Sequence, residues 1–425
     1  MPSDPQLPAL AKRGGDKLAG AGIGAWKRAD TPAAVNLLTR ASRLLPENDS
    51  SRAEVLCELG VAQRSIGDVG AGEATLSEAI RLAERARDRG IELRSQVELG
   101  YLRLFTDRAA DPAEFVELVE TAIPVFERLG DERALGRAWR SVGHVRGSLQ
   151  GRCADWLQAS ERAVTYYRRS GWSVAGCLAA LGAALFYGPT RVPDATQRCE
   201  QLLEETTDRL GTANVLAYLA GLHALSTRFD DAFALLAAAD EIHSELRETY
   251  ARADNAARVL GLVQRLAGDT AAAEVTFREC CDTFQRAHDE AAASSVASEL
   301  GDALYAQERY VEAADWCRFA QEHAPNGDVV AQFSWRALHA KLLARDGLLG
   351  EGEAEAAKAL GMVARTDLLT HHGNALLDGA HVLRLAGRPP AAAKRIEEAL
   401  FLFESKGNLA SANIARSLLD QAAVF

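Results

Sequence analysis

The chain of 425 residues is poor in aromatic residues and in proline. Phe, Trp and Tyr together make up 6% of it, and Pro occurs only 12 times. Strands draw on aromatic and β-branched residues, whereas Ala, Leu, Glu and Arg, which dominate here, favour helices. Proline is the main residue that interrupts a helix, so its scarcity removes that obstacle. The composition therefore predicts an all-α chain.

The chain also lacks an excess of positive charge and any long apolar run. Its formal net charge of −11 argues against general nucleic-acid or membrane binding, because both require a basic field. No apolar run reaches the length of a membrane span, and the start, Met1-Pro2-Ser3-Asp4-Pro5, lacks the basic and apolar regions of a signal peptide. We therefore expect a cytoplasmic protein with no nucleic-acid and no membrane partner.

The sequence contains no recognisable metal-binding or catalytic motif. Its seven cysteines form no Cys-x-x-Cys pair, which predicts buried small hydrophobes rather than zinc ligands or disulfides. No His-Glu-x-x-His and no Gly-x-Ser-x-Gly occurs among the dispersed His and Ser residues. His372 and His381 are nine residues apart, too far round a helix to share one ion. We expect no metal, no cofactor and no catalytic residue, although an enzyme of unrecognised type stays as an alternative.

The most regular feature that the chain does have is a Leu-Gly or Val-Gly pair about every forty residues. The pairs are Leu59-Gly60, Leu99-Gly100, Val142-Gly143, Leu181-Gly182, Leu260-Gly261 and Leu300-Gly301, with Leu219-Ala220 at the skipped position. A period of this length is typical of stacked supersecondary units that bury their apolar faces against one another. We therefore expect the function to lie on the surface of the stack rather than in a catalytic pocket.

Ten turn signals divide the chain into ten helical hairpins. They fall at 29–32, 67–68, 107–112, 150–151, 188–190, 228–230, 268–270, 307–309, 346–347 and 387–389. Gly in these turns accepts the left-handed conformation that ends one helix, and Asp or Thr caps the next helix. We expect a flexible leader at 1–15, one continuous repeat array over 16–407, and a C-terminal capping helix within 408–425 that covers the last hairpin.

The eighth unit identifies the repeat. Its residues at the diagnostic spacings are Leu300, Gly301, Leu304, Tyr310, Ala313, Ala320 and Pro325. This pattern resembles the tetratricopeptide repeat (TPR), and the resemblance implies an all-α, right-handed superhelical solenoid of about ten TPR-like hairpins. In that register Gly301 and Ala313 are expected where the two helices of one hairpin touch.

A narrower resemblance covers nearly the whole chain. Strings such as Tyr187-Gly188-Pro189-Thr190, Trp335-Arg336-Ala337 and Ser405-Lys406-Gly407-Asn408 resemble the C-terminal TPR region of large bacterial signalling ATPases. Such proteins combine the array with a P-loop ATPase and an adenylate or guanylate cyclase or a LuxR-type helix-turn-helix. This sequence has no Gly-x-x-x-x-Gly-Lys-Ser/Thr loop, so the resemblance does not carry their catalytic activities over.

The TPR resemblance also implies which side chains line a concave groove, because the first helix of each hairpin faces inward. The inward basic residues would be Arg64, Arg94, Arg137, Arg140, Arg258, Arg265, Lys341 and Arg384, with His144 and His381 beside them. Only Asp16, Glu54 and Asp302 are acidic in the same register, which leaves five more basic than acidic residues. Arginine forks pair well with carboxylates, so an acidic partner is expected; an ordinary hydrated helix face is the alternative.

Two further groups belong to the same groove. Asn214, Asn255 and Asn374 share one inward position, and their amides suit the backbone of an extended peptide. The small residues of the fifth and sixth units form either a flat floor for an apolar helix or a surface for close helix stacking: Gly176, Ala179, Ala183, Ala217, Gly221 and Ala224.

These patterns predict a non-catalytic protein–protein interaction scaffold that binds an acidic peptide or protein in a basic concave groove. The predicted binding residues are Arg94, Arg137, Arg140, His144, Asn214, Asn255, Arg258, Arg265, Lys341, Asn374 and Arg384. The alternative is a ligand-sensing regulatory TPR module of a signalling ATPase, nucleotide cyclase or transcriptional regulator. Homo-oligomerisation is left open.

Overall fold

The computed structural model describes residues 6–27, 30–46, 49–107 and 109–422, and every regular element in these ranges is helical. The first four hairpins are α1 (Leu7–Lys27) with α2 (Thr31–Leu44), α3 (Ser50–Ser65) with α4 (Val69–Ala86), α5 (Arg89–Thr106) with α6 (Pro112–Leu129), and α7 (Glu132–His144) with α8 (Cys153–Arg169). A π-helical segment, Val145–Leu149, extends α7.

Six more hairpins and a final helix follow. They are α9 (Ala175–Tyr187) with α10 (Val192–Glu205), α11 (Arg209–Leu225) with α12 (Phe229–Leu246), α13 (Thr249–Ala251) and α14 (Arg258–Leu266) with α15 (Thr270–Arg286), α16 (Glu290–Ala306) with α17 (Tyr310–His323), α18 (Val329–Arg345) with α19 (Leu349–Val363), and α20 (Leu369–Leu385) with α21 (Pro389–Lys406). A second π-helical segment, Arg252–Ala257, joins α13 to α14, and α22 (Leu409–Ala422) comes last. The all-α array of ten TPR-like hairpins with a final helix is confirmed.

Local chemistry at the turns explains why the helices begin and end where they do. Gly67 and Gly268 have φ values of +87° and +89°, a conformation that side chains with a Cβ rarely adopt. The next residue caps the following helix: Asp68 accepts a hydrogen bond from the Ala71 N–H at 3.3 Å, and Asp269 accepts one from the Ala272 N–H at 2.9 Å. A Gly-Asp pair therefore closes one helix and opens the next.

The chain divides into two compact units, where the sequence predicted one continuous array. Unit 1 comprises Met1–Ser141 and Thr165–Ser173, and unit 2 comprises Val142–Val164 and Val174–Phe425. The core of unit 1 contains Leu38, Leu56 and Leu76, which lie in α2, α3 and α4.

The first helix begins earlier than the predicted leader allowed. Residues 7–15 of the predicted leader belong to α1, and Gln6 directly precedes this helix. Residues 1–5 lie outside the described ranges. Within residues 7–15, α1 packs closely on the end of α2, because Gly15 leaves room for the Leu45 side chain, from which a Cβ at position 15 would be only 2.8 Å away.

The core of unit 2 is built on aromatic and aliphatic side chains of successive hairpins, among them Phe277, Leu300 and Leu338. All seven cysteines of the chain are buried and free, as expected.

A Cβ on Gly301 would overlap the Leu338 side chain of α18, whereas the Ala313 carbonyl oxygen of α17 is 3.5 Å away. The two helices of the hairpin therefore touch at Gly301 as expected, and the tightest contact there is with Leu338 of the next hairpin.

Unit 2 closes on itself through contacts between its first and last hairpins. The carboxylate of Asp367 accepts hydrogen bonds from the Cys153 and Ala154 N–H groups, both at 2.8 Å, and caps α8. The Asp367 N–H donates in turn to the Gly151 carbonyl oxygen at 3.0 Å. These bonds join residues more than 200 positions apart in the chain.

Lys406 makes the second closing contact. Its side chain is fully buried, with 0% exposure, and its ammonium donates to the carbonyl oxygens of Leu185 at 2.9 Å, Gly188 at 2.6 Å and Thr190 at 2.6 Å. Two of the strings that carry the signalling-ATPase resemblance, 187–190 and 405–408, meet at this point. We call the bonds of Asp367 and Lys406 the seam of unit 2.

Candidate binding surface of unit 2

A band of polar side chains runs across the first helices of four consecutive hairpins in unit 2. These helices are α14, α16, α18 and α20. We define the inner belt as Arg258, Arg265, Glu299, Asp302, Tyr305, Lys341, Asp378 and His381. Contacts join six of them to one another, and Arg258 and Glu299 form a separate pair between α14 and α16.

Arg258 and Glu299 form the first pair of the belt. The Arg258 Nε lies 3.3 Å from both carboxylate oxygens of Glu299, and its Nη2 lies 3.0 Å from Oε1. This forked contact fixes the plane of the guanidinium as well as its position. The guanidinium of Arg258 is therefore fixed in position, and it already has a carboxylate partner.

Lys341 is the centre of the belt because it joins three helices. Its ammonium lies 2.8 Å from Asp302 of α16 and 2.8 Å from Asp378 of α20. Burial disfavours the ammonium, but the two carboxylates outweigh that effect and raise the pKa of Lys341. Burial also raises the pKa of Asp378, although Lys341 opposes this. Arg265 reaches the other oxygen of Asp302 at 3.4 Å.

Tyr305 and His381 complete this end of the belt. The Tyr305 hydroxyl lies 2.8 Å from His381 Nε2, and the Lys341 ammonium lies 5.1 Å from the centre of the Tyr305 ring. Burial, and then the nearby cations led by Lys341, lower the pKa of His381 to about 4. The imidazole is therefore neutral at pH 7 and adds no positive charge to the belt.

A cluster of three rings forms where α20 packs near α9. The ring of His371 is 5.6 Å from Tyr187 and 5.9 Å from Phe333, measured between centroids. Burial lowers the pKa of His371 to about 4. His371 thus packs as a neutral aromatic ring between the first and last hairpins of unit 2.

The three asparagines that the sequence placed in one ladder are used differently. Asn214 and Asn255 are buried, and their amides bond within the protein: Asn214 Nδ2 lies 3.4 Å from the Ala175 carbonyl oxygen, and Asn255 accepts from the Tyr218 hydroxyl at 3.0 Å. Asn374 is half-buried on α20. At least the first two amides join neighbouring helices rather than wait for a peptide backbone.

Two of the predicted arginines of unit 1 are already paired with carboxylates. The side chain of Arg137 is 10% exposed, and it pairs with Glu58 at 3.1 Å and Glu98 at 3.2 Å. Arg94 lies 3.5 Å from both Glu54 and Asp131. Arg137 is therefore part of the packed interior of unit 1 rather than a free groove cation.

The remaining predicted residues are scattered. Arg140 is half-buried on α7, His144 meets the Trp156 ring edge to face at 5.7 Å, and Arg384 is exposed near the end of α20. Ala183, Ala217 and Ala224 are buried, and a Cβ on Gly221 would lie 2.7 Å from the Phe186 ring. These four residues therefore serve close helix packing, one of the two alternatives, whereas Gly176 is exposed and Ala179 is half-buried.

Sequence reasoning missed the carboxylates that neutralise the groove cations. Glu58, Glu98 and Glu299 each stand directly before a Leu-Gly pair, so the tripeptide Glu-Leu-Gly occurs at 58–60, 98–100 and 299–301. This repeated tripeptide was the signal that could have identified them. Because the inner belt holds three cations and three carboxylates in contact, the predicted excess of positive charge is not present in it.

Two findings concern other classes of site. Within the described ranges, no group of three or more His, Cys, Asp and Glu side chains is placed to hold a metal ion. None of the helices in those ranges is both long and apolar enough to cross a membrane.

Comparison with known proteins establishes the fold. No protein-family model matches the sequence, and no curated protein matches it. A Rap protein complexed with Competence and Sporulation Factor is similar, with 14% identity, a TM-score of 0.55, and coverage of 88% of this chain and all of that one. Its similarity supports the TPR fold of this chain.

Two other solved structures are similar at lower scores. The Cut9–Hcn1 complex of the APC/C has 11% identity, a TM-score of 0.47 and 98% coverage of both chains. A STAND signal transduction ATPase with a tetratricopeptide repeat sensor from Pyrococcus horikoshii has 12% identity, a TM-score of 0.46, and coverage of 92% of this chain and 66% of that one. The resemblance to cyclase-linked or LuxR-linked regions stays a prediction.

Proposed function

We propose that this chain is a non-catalytic protein-interaction module that binds an acidic peptide segment at the inner belt of unit 2. The observation that carries the proposal is the pair Arg258 and Arg265, whose side chains are 22% and 29% exposed and are each oriented by a carboxylate of α16. Lys341, which is buried like Arg137, serves as an internal partner of Asp302 and Asp378. Side chains held in this way lose little conformational freedom when they bind. The similar Rap protein is complexed with a factor, which supports a ligand-binding role.

The internal carboxylates make the binding an exchange of partners. A ligand carboxylate that approaches Arg265 competes with Asp302, and Asp302 keeps Lys341 as a partner when Arg265 turns to the ligand. A ligand carboxylate at Arg258 competes in the same way with Glu299.

The groups that enzymes use as nucleophiles or bases are poorly suited to catalysis here. Burial raises the pKa of Cys280 and Cys317 to about 12, which keeps both thiols protonated. His381 is committed to Tyr305 in the belt. These features support binding rather than turnover.

The test is a peptide array graded from Lys-rich to Glu-rich sequences, followed by titration of the best peptide against the intact chain. We expect Glu-rich peptides to bind, and Arg265→Gln to weaken binding about tenfold, the equivalent of one charge-assisted contact of ~1.4 kcal/mol. The matched control is Arg318→Gln, which removes an exposed arginine of the outer helix α17. A preference for neutral or Lys-rich peptides, or equal losses in both variants, would contradict the proposal.

The seam favours a second candidate function, a ligand-sensing regulatory module. Residues on both sides of the seam continue into helices that carry the inner belt and the His371 contacts. A bound ligand could therefore alter the seam. Hydrogen exchange of the amides at 151–154 and 185–190 should change when the best peptide is added. Unchanged exchange would contradict the sensing function, and only the scaffold function would remain.

A further inference from the structure

A groove separate from the inner belt lies between α20 and α21. It is lined by His372, Leu376, Glu397, Glu398, Phe401 and Leu402, and its volume is about 440 Å³. We call this cavity the outer groove. Its volume lies within the range of cavities that bind ligands and apolar side chains.

The floor and wall of the outer groove are apolar. Leu376 is 2% exposed and forms the floor, Leu402 is half-buried, and Phe401 is 69% exposed. Leaving an aromatic ring of this size in water is unfavourable, and covering it would remove apolar surface from solvent. An exposed aromatic side chain beside a buried apolar floor offers a partner side chain apolar surface on two sides.

The outer groove and the inner belt occupy different faces of α20. The belt residues Asp378 and His381 of α20 contact Lys341 and Tyr305, whereas His372 and Leu376 of the same helix line the outer groove. Consecutive residues of an α-helix point about 100° apart, so one helix can present both surfaces. Occupation of the outer groove therefore does not require access to the belt.

The rim of the outer groove carries two carboxylates. Glu397 and Glu398 are exposed, and neither forms an ion pair with a residue in the part of the chain that the structure describes. Nearby acids on outer helices differ, because Glu353 pairs with Arg388 and Glu404 pairs with Arg416. Burial lowers the pKa of His372, and Glu398 opposes this shift. The lining therefore combines an apolar floor with two rim carboxylates that form no ion pair within the described ranges.

We propose that the outer groove docks a basic amphipathic helix of a partner protein. Two apolar side chains of that helix would lie against Leu376, Phe401 and Leu402, and its lysines or arginines would lie over Glu397 and Glu398. The walls are helices whose backbone groups are already bonded, so no strand edge invites an extended peptide. A second copy of this chain is a poor occupant, because its net charge of −11 would be repelled by the acidic rim.

The probe is a labelled 18-residue peptide with Leu at helical spacing on one face and Lys on the other. Two matched peptides replace every Lys by Glu or every Leu by Ser. Fluorescence anisotropy with the intact chain should detect binding of the Leu-Lys peptide alone, and the affinity should fall as salt rises. Equal binding of the Leu-Glu peptide would overturn the proposed charge preference and with it the proposal.

Substitutions in the chain locate the site. Phe401→Ser should weaken binding about tenfold, and Glu397→Gln with Glu398→Gln should weaken it several-fold and flatten the salt dependence. The controls are Val311→Ser, which removes a 78% exposed apolar side chain of α17, and Glu200→Gln with Glu204→Gln on α10. Because all these positions are exposed, the variants should keep the parent melting temperature. Equal binding by the parent and the groove variants would show that the peptide binds elsewhere, and the proposal would fail.

Self-association is the remaining outcome. Sedimentation of the parent and of Phe401→Ser at rising concentration distinguishes it. If the parent dimerised and Phe401→Ser did not, the occupant would be a second copy and the partner-helix proposal would be overturned. Arg265→Gln should leave binding of the Leu-Lys peptide unchanged, so this result is separate from the test of the inner belt.

Discussion

At the scale of single residues, the role of an inward charged side chain in this protein depends on its ion-pair partners. Arg137 and Lys341 both lie in positions that a helical register marks as inward, yet each is held between two carboxylates. Breaking such a pair leaves a buried charge without a partner, which is usually more costly than the pair is stabilising. The partners therefore decide whether an inward cation is available to a ligand.

Asp328 provides a pH-dependent test at this scale. It is 6% exposed, it caps α18 by accepting from the Ala331 N–H at 2.8 Å, and burial raises its pKa to about 7. A carboxyl group whose pKa is raised on folding stabilises the protein below its unfolded pKa of about 4, and that contribution is lost as the pH rises through 7.

Asp328→Asn keeps an oxygen acceptor for the cap but removes the titration. Relative to this variant, the parent should lose free energy of unfolding between about pH 4 and pH 7, by roughly 1.4 kcal/mol for every tenfold difference in proton affinity between the folded and unfolded states. Urea unfolding at several pH values measures the difference. Asp269→Asn, at the exposed cap of α15, is the control for replacing a cap aspartate. Parallel curves for the parent and Asp328→Asn would contradict the raised pKa.

At the scale of helices, glycine decides how closely neighbours approach. A Cβ on Gly301 of α16 would overlap Leu338, whereas a Cβ on Gly379 of α20 would meet no atom within 4 Å. The two glycines are both within helices, so they differ in packing rather than in backbone conformation.

The pair Gly301→Ala and Gly379→Ala separates packing from helix propensity. We expect Gly301→Ala to destabilise the fold by about 1–3 kcal/mol through overpacking, and Gly379→Ala to stabilise it by about 0.5–1 kcal/mol. Thermal unfolding of both variants against the parent checks the two signs. If both substitutions were stabilising, α16 and α18 could not be as close as the structure has them.

The final helix tests how an array ends. Ala412 and Ala415 of α22 pack against Phe403 and Ile396 of α21. Removing residues 408–425 would expose that apolar face, and we expect a loss of a few kcal/mol in stability together with lower solubility. Denaturant unfolding and light scattering measure the two effects; a truncated chain that unfolds and scatters like the parent would show that α22 does not serve as a cap.

At the scale of the whole molecule, unit 2 owes its closure to a few polar bonds. The ammonium of Lys406 satisfies three carbonyl oxygens that are otherwise enclosed by protein. An unsatisfied buried acceptor costs about 1–3 kcal/mol, so this one side chain carries considerable stability.

Lys406→Met keeps a long unbranched side chain but removes all three hydrogen bonds. We expect a loss of about 3–5 kcal/mol and faster hydrogen exchange at 185–190, because the last hairpin is no longer tied to the first. The control is Lys394→Met, which removes an exposed lysine of the same helix. Exchange at 50–65 in unit 1 should stay at the parent level in both variants. Unchanged exchange at 185–190 in Lys406→Met would mean that other contacts hold the seam.

The local pattern of the sequence determined the repeats, the helical hairpins and the final helix. A forty-residue period and Gly-Asp turns act over a few residues, so they can be identified without knowledge of distant neighbours. The same applies to the buried cysteines, which follow the apolar face of each helix. The repeated tripeptide Glu-Leu-Gly, which marks the glutamates that pair with inward arginines, could also be recognised from the sequence.

Tertiary structure alone decided the seam, the division into two units and the charge of the inner belt. A helical register assigns a side chain to a face but not to a partner, so it counted Arg258 and Lys341 as positive without the carboxylates that meet them. Lys406 and Asp367 bond to residues more than 200 positions away, and no spacing along the chain encodes such a contact. Those contacts arise only when successive hairpins bring the ends of unit 2 together.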